Sequence, residues 1–103
     1  MVGKGEYIPP EKVPTFGAAA AEWLSSKADH HPASVEGWRT HLRHLSPLNG
    51  LKLDRIEVAA IERLRDDLRK SLSAETVNNL MTTATAVFKF AQRRGYVTPT
   101  RPH

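Results

Sequence analysis

Apolar residues recur at three- and four-residue spacing in four stretches of the chain, the pattern of amphipathic helices each hiding one face. Thr15 offers an N-cap to the first, whose apolar positions Phe16, Ala19, Ala20, Trp23 and Leu24 run on toward Lys27. The run "ADHHP" interrupts it, and Pro32 suits the first turn of a second helix, where its missing N–H would be an orphan anyway. Val35, Trp38, Leu42 and Leu45 form the stripe of that helix, which Pro47, Asn49 and Gly50 bring to an end. Leu51, Leu53 and Ile56 make a short apolar connector. A third helix is predicted from about Val58 to Lys70, with Ile61, Leu64 and Leu68 inward and a mixed-charge outer face. The fourth opens at the cap Ser73, carries Val77, Leu80, Met81, Ala84, Val87, Phe88 and Ala91, and closes at Gly95, where a left-handed residue is wanted.

Four such helices with short connections and no alternating strand pattern predict an all-α fold, a compact four-helix bundle. Residues 1–14 combine glycine and proline without periodicity and are expected to form a tail or linker. Residues 15–97 hold the bundle, and residues 98–103 read as a linker toward whatever follows.

Composition narrows the class. A chain of 103 residues, 40% hydrophobic and 25% charged, fits one domain with one modest core. It has no cysteine, which removes disulfides and thiolate metal sites. No apolar run approaches a membrane span and no signal peptide is evident, so a cytoplasmic protein without membrane association is expected. The net charge is +4. Beyond Asp67 the only acid is Glu75, set against Arg69, Lys70, Lys89, Arg93, Arg94 and Arg101, so positive charge gathers around the last helix.

A catalytic constellation is missing. No glycine-rich loop cradles phosphate, no serine has a nucleophile-elbow context, and Asp66 and Asp67 diverge by about 100° on a helix. His41 and His44 lie three apart, with His30 and His31 upstream, but no Cys or acid is placed to complete a metal site. No cofactor or metal is expected, and the chain reads as non-catalytic.

The polar faces are more informative. Away from its stripe, the fourth helix carries Glu75, Thr76, Asn78, Asn79, Thr82, Thr83, Ala86, Lys89 and Arg93. Thr and Asn are middling helix formers, and a merely solvated face gains more from Glu and Lys. Short donor–acceptor groups flanked by cations suit a surface that approaches phosphates and base edges. Opposite its own stripe the second helix has Ala33, Gly37, Thr40, His41 and His44, flanked by Ser34, Arg39 and Arg43. Gly37 in mid-helix costs about 1 kcal/mol against Ala, which implies either close helix packing or close approach by something bulky.

The ordered set of elements resembles the core-binding domain of phage-type integrases, the tyrosine recombinases. The residues that carry the resemblance are Thr15, Phe16 and Trp23 in the first helix, and Ser34, Trp38 and Arg39 in the second. Leu53, Ile56 and Ile61 continue it through the connector, and Ser73, Thr76, Asn78, Phe88, Ala91 and Gly95 complete it in the fourth helix. Those domains are SAM-like four-helix bundles whose second and fourth helices face the DNA major groove. The resemblance therefore implies a domain that holds duplex DNA at a recombination core site for DNA integration and recombination. It further implies a monomer in isolation, a catalytic domain following in the same full-length chain, and assembly of the full-length protein on DNA. Candidate contacts are Ser34, Gly37, Arg39, His41 and Arg43 on the second helix and Thr76, Asn79, Thr83, Lys89 and Arg93 on the fourth. Asn79 is the candidate base reader, since an amide pairs bidentately with adenine. Three positions depart from the family pattern: Asn79 and Thr85 stand where many relatives have Arg, and Glu57 stands at a capping place more often Thr or Ser.

Two other readings remain. A helix-turn-helix regulator would need two helices joined by a turn of about 3–4 residues. A helical protein–protein adaptor would need an exposed apolar patch, for which Phe90 is the candidate.

Overall fold

A computed structural model describes residues 13–97. It contains four α-helices: α1 (Phe16–Ser25), α2 (Pro32–His44), α3 (Val58–Leu68) and α4 (Ala74–Arg93). Short 3-10 turns at Ser46–Leu48 and Leu53–Arg55 lie in the connection between α2 and α3. The all-helical architecture expected from the pattern is what forms, and no strand occurs among the described residues beyond one isolated bridge, Thr15 to Lys52.

The longest helix organises the rest: α1, α2 and α3 all pack on α4, and α1 also packs on α2. From α1 come Phe16, Ala19, Ala20 and Trp23, spaced so that one stripe reaches the core, joined by Leu80, Ala84, Val87, Phe90 and Ala91 of α4. Phe16 and Leu80 are fully enclosed, with Phe16 stacked obliquely on Phe88 at 5.6 Å between centroids. By contrast α2 has no fully buried residue; Val35, Trp38 and Leu42 are half-buried, so it forms an outer layer.

Helix ends follow local chemistry. The Thr15 hydroxyl accepts from the Ala18 N–H at 3.2 Å, as its capping role predicts. The two N–H groups ahead of Ala18 are satisfied from the connector: Phe16 donates to the Leu51 carbonyl at 2.8 Å and Gly17 to that of Asn49 at 3.2 Å. A Cβ on Gly17 would lie 3.1 Å from Asn49, so this close strapping leaves a side chain there little room. At its other end α4 closes as a Schellman motif. Gly95 has φ 78°, Tyr96 N–H donates to the Ala91 carbonyl at 2.9 Å, and Gly95 N–H donates to that of Gln92 at 3.1 Å. Glu57 caps α3 by position but makes no side-chain capping bond.

Three expectations are corrected. Packing begins before the expected boundary: Val13 is buried, and Leu53 N–H donates to the Pro14 carbonyl at 3.0 Å. The rest of the expected tail, residues 1–12, and the expected linker at 98–103 lie outside the described residues. Phe90 is not an exposed apolar residue but is buried at 7% exposure, with the Arg94 guanidinium 4.9 Å over its ring. Third, the buried arc of α4 is turned toward Thr83 and Phe90, leaving Met81 and Phe88 only half-buried. At Thr83 that flank is met by α2 through His41.

Candidate nucleic-acid interface

The seam between α2 and α4 is fixed by one polar contact. His41 Nδ1 and Thr83 Oγ1 share a hydrogen bond of 2.8 Å. Thr83 is only 4% exposed, so its hydroxyl could not be left unpaired without a cost of about 1–3 kcal/mol. This overturns the expectation that Thr83 meets DNA directly: it belongs to the helix interface, and its partner is the half-exposed ring of His41.

Helical geometry sorts the other candidates around this contact. Ser34 and Gly37 lie seven and four positions before His41, within about 40° of it around the helix, so they share its side of α2. On α4, Thr76 and Asn79 stand seven and four positions before Thr83 and share its side in the same way. Asn79 is exposed, whereas Thr76 is half-buried and its hydroxyl accepts from Ser73 Oγ at 2.9 Å. The two arginines of α2 do not join this group. Arg39 and Arg43 each stand two residues from His41, about 200° around the helix, on the flank turned away from α4. Arg39 also pairs with Glu36 at 3.5 Å, both ends well exposed. Reading polarity alone placed both flanks of α2 on one surface; only one borders α4.

Lys89 and Arg93 continue the exposed side of α4 that starts at Glu75 and passes through Asn79, Thr82, Thr85 and Ala86. Neither has an ion-pair partner among the described residues. Thr82, Thr85, Ala86 and Lys89 line a shallow concavity of about 290 Å³ on this side. The Thr82 hydroxyl donates to the Asn78 carbonyl at 3.0 Å, so it is available outward as an acceptor. On α3 and just beyond its end, Lys70 pairs with Asp67 at 3.5 Å and Arg65 with Asp66 at 3.7 Å, the balanced solvated face its charge pattern predicts.

Unpaired N–H groups at a helix start suit phosphates, but the first turn of α2 has few to offer. His31 Nδ1 accepts from the Ala33 N–H at 3.1 Å, Pro32 has no N–H, and Ser34 N–H donates to the His31 carbonyl at 2.9 Å. The imidazole cap was legible only as a His two residues before a possible N2 position, a weak signal.

Gly37 is exposed, and a Cβ built on it meets nothing within 4 Å. The close-packing explanation is thereby excluded; nothing inside the domain requires glycine there. Gly37→Ala is expected to raise stability by about 1 kcal/mol, moving the melting temperature up by about 4–8 °C. Thermal unfolding by circular dichroism checks this.

No protein-family model, no curated protein and no solved structure matches this chain. Among the described residues there is no cluster of three or more potential metal ligands, and no helix is long and apolar enough to cross a membrane.

Sequence reasoning overlooked an apolar region on the other side. Leu51 is 38% and Val58 72% exposed. A concavity of about 390 Å³ lies between the Ser46–Leu48 turn and α3, lined by Leu48, Leu51, Ala60, Leu64 and Leu68 with His44, Arg63 and Asp67 among its polar members. Both exposed residues sit outside the helical stripes, in a connector and at a helix start, where periodicity gives no warning.

Proposed function

We propose that this chain is a non-catalytic duplex-DNA-binding domain of a tyrosine recombinase, a SAM-like core-binding module that grips its site with α2 and α4. The observation that carries this reading is the pairing of two exposed faces along one seam. Gly37 and Ser34 on one side, and Asn79 with the unpaired Lys89 and Arg93 on the other, offer small, hydrogen-bonding and cationic groups where no internal packing demands them. Asn79 reads a base edge, Lys89 and Arg93 hold phosphates, and Gly37 lets the backbone come near. The His41–Thr83 bond keeps the two helices in register. Arg39 and Arg43 act on the DNA at longer range. The catalytic residues belong to a domain that follows in the full-length protein, which assembles on its recombination site.

A helix-turn-helix reading is less well supported, because α3 ends at Leu68 and α4 begins at Ala74, a longer connection than the tight turn of that motif. The adaptor reading draws on the concavity beside Leu51. One experiment separates them. Titrating duplex DNA into isotopically labelled protein at low ionic strength is expected to shift the amide resonances of Ser34, Gly37, Thr76 and Asn79. Those of Arg63 on α3 and of Arg69 at its C-terminal cap serve as the control, and raising the salt should reverse the shifts. Shifts confined to α3 and Leu51, or none at low salt, overturn the proposal.

A further inference from the structure

His41 does more at the seam than join two helices. Thr83 occupies its Nδ1, and among the described residues Nε2 has no partner. That leaves a half-exposed ring nitrogen between the flank carrying Ser34 and Gly37 and the side of α4 carrying Asn79. Resting on the DNA-binding reading, we propose that His41 presents Nε2–H to a backbone phosphate and that one proton, drawn from solvent, is taken up at this ring as the duplex binds.

The charged surroundings allow it. On α2, His44 is the titratable neighbour that acts on His41, Arg39 is held by Glu36, and Arg43 lies on the opposite flank. From α4 the ring is faced by the uncharged Thr83, while Glu75, Lys89 and Arg93 are all exposed. From α1, Glu22 accepts a hydrogen bond from Tyr96, and the nearby Lys27 lies over the Trp23 and Trp38 rings. The turn Ser46–Leu48 has no titratable group. Among the described residues no carboxylate stabilises the imidazolium in the free protein. Burial first, and then the charge of His44, hold the His41 pKa below the usual imidazole value of 6.5. A phosphate beside Nε2 supplies the missing negative charge and reverses the balance.

The sign follows. The free ring titrates below 6.5 and the DNA-bound ring above its free value. Between those two values the complex binds more protons than the free components. Affinity therefore rises as pH falls through that window, by up to about tenfold per pH unit for one proton, and levels off beyond either end.

The test follows the His41 ring resonances through a pH titration at fixed salt, with and without duplex DNA. Duplex affinity is measured over the same range for the protein and for His41→Asn, whose amide keeps a partner for Thr83 but does not titrate. The expected result is a His41 midpoint moved upward by the duplex, with a pH dependence of affinity that is shallower by one proton in the variant. A midpoint unchanged or lowered when duplex is bound, or parallel pH profiles, would overturn the assignment while leaving DNA binding intact. Absence of duplex binding would bring down both. Should His41→Asn not fold, the ring titration alone decides.

Discussion

Replacing Phe16 with alanine is expected to lower the free energy of unfolding by about 3–5 kcal/mol, the range for deleting a buried aromatic ring. A domain of this size commands about 5–15 kcal/mol in all, so the variant will be marginal. The site offers little chance to collapse. Phe16 is fully enclosed, its ring lies 5.6 Å from that of Phe88, and its backbone N–H is tied to the Leu51 carbonyl. Losing the ring therefore undermines the contact between α1 and α4 together with the connector strapped to the start of α1. Phe16→Leu, which keeps most of the volume, should retain a cooperative transition. Val58→Ala, at 72% exposure, should change stability by less than about 0.5 kcal/mol. Urea unfolding followed by circular dichroism measures all three. A Phe16→Ala loss no larger than that of Val58→Ala would mean that the core is not where it is described.

The second large effect falls on binding. With Lys89 and Arg93 both changed to glutamine, duplex affinity is expected to fall by roughly 50-fold near 0.1 M salt, since each phosphate contact contributes a slope of about 0.9 in log affinity against log salt. The salt slope itself should become shallower by about 1.8, and the loss should be the same for every DNA sequence. Both residues are exposed and unpaired among the described residues, so the fold has no stake in them. Asn79→Ala should behave differently, leaving the salt slope alone while relaxing preference at one base pair by about 1–3 kcal/mol. Equilibrium titrations at four or five salt concentrations, on two unrelated duplexes, separate the two patterns. An unaltered slope in the double variant would remove the basic end of α4 from the interface.

Much of this architecture is written locally. Thr15, Pro32, Ser73 and Gly95 each act through their own backbone neighbourhood, so helix starts and the end of α4 can be read from a few adjacent residues. The apolar stripes are similarly plain, because a helix surface repeats over short distances. What a stripe cannot say is which flank the next helix will cover. Thr83 sits on the edge of the α4 stripe, and its burial goes with α2 lying against that edge. Arg39 and Arg43 were grouped with His41 because all three are polar, yet helical rotation sends them to the other side. The His41–Thr83 bond spans residues far apart in sequence, and neither residue type announces a buried partner. Val13 likewise gains its place only from the connector that pairs beside it. Gly37 is the converse case: its oddity was evident from sequence, and the open space around it decided between two explanations.

The protein has two tryptophans, and both stand at the meeting of α1 and α2, with ring centroids 5.6 Å apart. Lys27 covers the two rings and His30 lies edge-on to Trp38 at 5.4 Å. Intrinsic tryptophan fluorescence is thus a built-in optical gauge of a single joint. Emission will report the separation of α1 from α2 and will be largely blind to events along α4. A fluorescence melt that runs ahead of the circular-dichroism melt would show the outer layer peeling from a bundle whose longest helix is still intact.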